Sequence, residues 1–208
     1  MNSPVNYQKI LEIELKKIKD LSRKPKLLLH ACCAPCSSYV IEYLKDHFEI
    51  SVYFYNPNIY PENEYYTRLD ETRNFLQNFP AATKIDLLEG DYNHEEFLSI
   101  ANDYQREAEG GKRCLECFRL RLERTAQKAS ELKFDYFTTT LTISPHKNAA
   151  VINAIGSEIS DKYKVRYLMS DFKKNSGFKR SIELSGEYGL YRQDYCGCEF
   201  SVRSGNPV

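Results

Sequence analysis

Residues 26–38 read KLLLHACCAPCSS. The run 26–30 has the length and apolar content of a short buried strand. It ends in a loop with three thiols, Cys32, Cys33 and Cys36, and residues 37–47 then show helical spacing. Strand, loop and helix recur downstream. ISVYFYNPN (50–58) reads as a strand stopped at Asn-Pro, and 62–79 as a helix with acidic residues in its first turn. TKIDLLEG (83–90) reads as a strand, HEEFLSIAND (94–103) as a short helix, and 114–133 as a long helix with Leu115, Phe118, Leu122 and Ala126 on one face. FDYFTTTLT (134–142) is rich in aromatic and β-branched residues and reads as a buried strand. Pro145 to Tyr163 is helical, with Val151, Ile155 and Ile159 spaced by four, and KVRYLMSDF (164–172) is a last strand.

Strands alternating with helices imply parallel β-α-β units, hence an α/β fold with an open, doubly wound, mostly parallel sheet. Ligands of such sheets bind beyond the C-terminal strand ends. The thiol loop after the first strand lies where that rule expects a site. Thr138 to Thr142 and His146 either line the same crevice or pack as core. No repeat or flexible linker divides the chain, so one domain over 1–208 is expected. An amphipathic helix at about 6–22 (Leu11, Leu15 and Ile18 on one face) begins it, and a short tail at about 202–208 ends it.

The chain has 208 residues, 42% hydrophobic and 28% charged, as expected of a globular protein with a full core. No run approaches the ~18–20 apolar residues of a membrane span, and charges interrupt the N-terminus where a signal peptide would be apolar. A cytoplasmic protein without a membrane partner is therefore expected. Net charge is zero, which gives no overall nucleic-acid signature and no case for DNA. Two local runs are basic: 112–128, with six basic against two acidic residues, and 162–180, with seven against one. Each is either a solvated surface or a guide for a phosphate-bearing substrate.

All seven cysteines fall into three tight groups: Cys32, Cys33 and Cys36; Cys114 and Cys117; Cys196 and Cys198. An odd number cannot all pair, and a reducing cytosol favours metal ligation or redox catalysis over structural disulfides. Cys33-x-x-Cys36 with Cys114-x-x-Cys117 would make a structural zinc site. Four thiolates from two distant groups would equally hold an iron–sulfur cluster. A disulfide between Cys196 and Cys198 would close a small strained ring, which Gly197 tolerates best and which is easily reduced.

HACCAPC after an apolar strand, RCLECF opening a helix, TTTLTISPHK after a later strand and YRQDYCGCEFS near the end, in that order, resemble the QueH family over residues 26–201. That resemblance implies a cobalamin-independent epoxyqueuosine reductase with a nucleotide-hydrolase-like (HUP/PP-loop-like) sheet. The epoxide on the cyclopentane ring of epoxyqueuosine, in a tRNA anticodon, would be reduced to the alkene of queuosine, the last step of queuosine biosynthesis. It implies a [4Fe-4S] cluster on Cys32, Cys33, Cys114 and Cys117, and a redox-active pair in Cys196 and Cys198. Cys36 would either hold a second, mononuclear iron with Cys196 and Cys198, or replace one of the adjacent pair. Two adjacent ligands require a sharp turn, because neighbours in extended chain point opposite ways.

Asp194, Tyr195 and Tyr191 beside the CGC motif are candidate proton donors. For tRNA, Lys173, Lys174, Lys179 and Arg180 are the expected phosphate contacts, and the tyrosines, notably Tyr53, Tyr55, Tyr60, Tyr65 and Tyr66, offer stacking surfaces. An electron donor of unidentified nature completes the partners. The alternatives are a zinc-stapled ATP-dependent tRNA-modifying enzyme or a metal-dependent RNA-binding module. HACCAPCSS has no glycine, so it lacks the phosphate loop that ATP use would need.

Overall fold

Leu27 and Leu29 pack into one apolar cluster and Leu28 into another, so the first strand is buried on both faces. This central strand organises a five-stranded, all-parallel sheet in the computed structural model, which describes residues 5–82 and 84–201. Its strands are β1 (Lys26–His30), β2 (Glu49–Phe54), β3 (Asp86–Glu89), β4 (Tyr136–Thr139) and β5 (Arg166–Tyr167), in the order β3-β2-β1-β4-β5. The helices are α1 (Tyr7–Lys19), α2 (Ala34–Leu44), α3 (Glu62–Asn78), α4 (His94–Ala101), α5 (Lys112–Glu131), α6 (Ala149–Tyr163) and α7 (Gly177–Glu187).

One face is covered by α1, α2, α7 and the C-terminal part of α3, through Leu11, Leu15, Val40, Leu44, Phe75 and Leu184. The other face is covered by α5 and α6, through Phe118, Leu122, Ala126, Ile152 and Ile155. Coverage on both faces makes the sheet doubly wound. The chain leaves β1 towards β2 on one side, and β4 lies on the other side. That reversal opens a crevice at the C-terminal ends of β1 and β4.

Four local readings change. The helix after β1 begins at Ala34 rather than 37, with Pro35 in its first turn, where a missing N–H costs nothing. The strand expected over 134–142 ends at Thr139, and 140–143 form a 3-10 turn. The Thr139 hydroxyl accepts the Leu141 amide at 3.1 Å and turns the chain. The last strand shrinks to two residues at the sheet edge. The basic run 162–180 is not a solvated surface throughout: its end enters α7, whose buried face is Gly177, Ser181, Leu184 and Ser185. The expected tail at 202–208 lies outside the described residues. Among the described residues no helix is long and apolar enough to cross a membrane.

Candidate metal and redox site

The chain bends at Cys32 and is extended at Cys33, which caps α2. This geometry, with Cys36 one turn into the helix, gathers three sulfurs within 4.8 Å of one another. The Cys32 and Cys33 sulfurs are 3.7 Å apart. Hydrogen bonding with Cys33 and Cys36 lowers the Cys32 thiol well below its usual range, with Arg121 and Lys147 adding positive charge. The Cys32 contact pushes Cys33 up to about 12, and the contacts with Cys32 and Cys33 raise Cys36. From across the crevice, the Thr140 hydroxyl accepts the Cys32 amide and donates to the Cys32 sulfur.

These thiols line a cavity of about 350 Å³, which Arg68, Arg121, Lys147 and Cys196 also line. Arg121 is buried and is held by Asn56 Oδ1 at 2.6 Å and by His30 Nε2 at 3.3 Å, with Cys117 at 4.0 Å. Burial opposes the Lys147 charge, but the Cys196, Cys32 and Cys36 thiols outweigh it and raise its ammonium above the usual range. A soft, clustered thiol set beside fixed positive charge fits a thiolate-bound metal centre.

The second thiol wall comes from α5 and the C-terminal turn. The Gly110 amide donates to the Cys114 sulfur at 3.2 Å, and Cys117 lies one turn further along. Cys117 and Cys198 share an apolar cluster with Phe97 and Ala101. Burial pushes Cys117 up to about 12 and raises Cys198. Gly197 has φ +112°, in the left-handed region that favours glycine. Its carbonyl accepts the Tyr60 amide at 2.8 Å, and the Tyr195 hydroxyl donates to the Tyr60 carbonyl at 3.0 Å.

The sequence model described as "Epoxyqueuosine reductase QueH" matches residues 27–204. The chain belongs to the QueH family. Curated members named Epoxyqueuosine reductase QueH support this. The protein of Streptococcus pyogenes serotype M1 is 46% identical over 204 residues, covering 97% of this chain and 80% of its own length. That of Staphylococcus aureus (strain Mu50) is 41% identical over 205 residues, covering 97% and 85%. That of Thermotoga maritima is 38% identical over 179 residues, covering 85% and 90%.

On this QueH chain the expected site residues are distributed unevenly. Cys32, Cys33, Cys36, Cys196 and Asp194 line one cavity, with Tyr195 beside them. Cys114 and Cys117 are not part of the three-sulfur group. Tyr191 is exposed, and its amide donates to Glu71. Lys173 is tied to Asp171 at 2.6 Å, and Arg180 is held by Glu42 and Glu187. Lys174 and Lys179 are exposed. Tyr53, Tyr55 and Tyr65 are core, whereas Tyr60 and Tyr66 are exposed. His146 lines the cavity, and Thr138, Thr139 and Thr142 are buried. Sequence reading missed Arg68, Arg121 and Lys147 as site residues. The spacing Cys117–Arg121, four apart on a helix, was the available signal for one of them.

Proposed function

We propose that this chain is a cobalamin-independent epoxyqueuosine reductase that works in the cytoplasm as one catalytic domain and acts on tRNA. The observation that carries the reading is the meeting of Cys32, Cys33 and Cys36 with Cys196 around one cavity. In this reading Cys32, Cys33, Cys114 and Cys117 hold an iron–sulfur cluster, with Cys36 either replacing one of the adjacent pair or binding a second iron. A second iron near Cys36, Cys196 and Cys198 is part of the same proposal. A bound [4Fe-4S] cluster would supply electrons one at a time, delivered by an external donor.

Reducing an epoxide to an alkene and water consumes two electrons and two protons. Oxidation of the Cys196 and Cys198 thiols to a disulfide releases the same number of each. Asp194 and Tyr195, at the cavity wall, are the residues proposed to hand a proton to the leaving oxygen. Arg121 and Lys147 keep positive charge beside Cys32 and so favour its anionic form. Lys174 and Lys179 are proposed to meet the RNA phosphates.

Purification without oxygen, followed by iron, sulfide and zinc counts, tests this reading. About four irons and four sulfides per chain, with turnover of epoxyqueuosine in an anticodon stem-loop, is the expected outcome. A colourless protein with one zinc and no sulfide would sink it and leave the zinc-stapled alternative.

A further inference from the structure

The cavity that the thiols line also presents two buried hydrogen-bond donors that no acceptor answers. Arg68 lines it, is 2% exposed, and has a Glu64 carboxylate on Nε at 2.7 Å. Its Cζ lies over the Tyr195 ring, 5.0 Å from the ring centre. Its Nη2 is buried and finds no hydrogen-bond partner among the described residues. Gln193 lines the same cavity, and its amide nitrogen is likewise buried without a partner.

Orphan donors screened from water are costly, most of all when charged. The Glu64 pair neutralises the Arg68 charge but leaves Nη2 unanswered. Two such nitrogens lining one cavity are satisfied together by a ligand rich in acceptor oxygens. Because they are already desolvated, they discriminate strongly against a ligand that lacks those oxygens, which would leave both unpaired.

We infer that Arg68 and Gln193 form an oxygen-recognising subsite that takes the oxygenated five-membered ring of the substrate base and holds it against the thiols. This rests on the reductase reading for the identity of the ring. RNA phosphate is the other source of acceptor oxygens, and the two separate experimentally. Phosphates are the same in every anticodon loop, whereas the ring is present only on the modified base.

The test compares binding of two anticodon stem-loops to the iron-loaded full chain, one with epoxyqueuosine and one with guanosine at the same position. Wild type should prefer the modified RNA by about 10- to 100-fold, as charge-assisted hydrogen bonds allow. Arg68→Met should abolish that preference, leave guanosine RNA binding unchanged and retain the iron. If Arg68→Met does not fold, Gln193→Leu, at a half-buried position, should reduce the preference in the same way. A wild type without preference overturns the subsite. An equal loss for both RNAs with a weaker salt dependence places the guanidinium on a phosphate and also overturns it. Turnover is scored separately: no epoxide reduction by wild type, with the ring preference intact, would sink the reductase reading and leave the subsite standing.

Discussion

Thr140 holds Cys32 at two points, accepting its amide at 3.3 Å and donating to its sulfur at 3.4 Å. Through this one side chain the segment after β4 reaches the loop after β1. Groups that orient a metal ligand set its affinity. Thr140→Val keeps the shape and removes both bonds. Iron affinity, measured by chelator competition, should fall about 10-fold or more. An unchanged affinity would leave Thr140 with packing alone.

In the proposed reading Cys198 belongs to the redox pair beside a second iron and is not a ligand of the iron–sulfur cluster. Cys198→Ser should keep the visible absorbance of the loaded protein and abolish turnover. Bleaching of the absorbance would instead make Cys198 a ligand. Cys32→Ser should lose both.

A methyl group at Gly197 would stand 3.0 Å from Arg68 Nη1 and 3.2 Å from Ile59 Cγ1, on a backbone at φ +112°. Gly197→Ala should cost about 1–3 kcal/mol and slow turnover by moving Cys196 and Cys198. Chemical unfolding and steady-state rates check this; an unshifted unfolding midpoint would contradict the close approach.

His30 gives stability a pH dependence. Burial, then the Arg121 charge, depresses its pKa from 6.5 to about 3. The folded imidazole stays neutral while the unfolded one takes up a proton below 6.5. Its contribution is therefore complete above that pH and is lost as pH falls towards 3. Between pH 7 and pH 5 this group should remove about 2 kcal/mol of stability. His30→Gln should flatten that part of the urea-unfolding profile, and an equally steep profile would assign the loss to carboxylates.

RNA binding should weaken with salt, and Lys174→Ala or Lys179→Ala should each lower the slope by about one ion. Arg180→Ala should instead act on stability, because Glu42 and Glu187 already occupy its guanidinium. A slope change from Arg180 equal to that from Lys179 would show that the acidic clamp opens on RNA.

The sheet was legible because β1 and β4 are buried on both faces and so appear as unbroken apolar or β-branched runs. The thiol loop was legible because it follows β1 directly. α7 was not, because Gly177, Ser181 and Ser185 do the packing that sequence patterns assign to leucine. Gly177 faces Tyr39, where a methyl group would come within 2.4 Å of the ring, so small residues let α7 approach α2. Arg68 and Arg121 were hidden for a related reason. In a sequence, an arginine with a Glu or Cys four residues away looks like a solvated helix face, and only the fold reveals that it is buried.

The bonds from Tyr60 to Gly197 and from Tyr195 to Tyr60 both use the main chain of residue 60. Whatever side chain a mutation puts there, the amide and carbonyl remain, so the anchoring of the C-terminal turn is indifferent to nearly every codon change at this site. Proline, which lacks the N–H, is the exception. A saturation library at position 60 should therefore return one disruptive letter for the anchor, with any further losses traceable to the ring that stacks on His94.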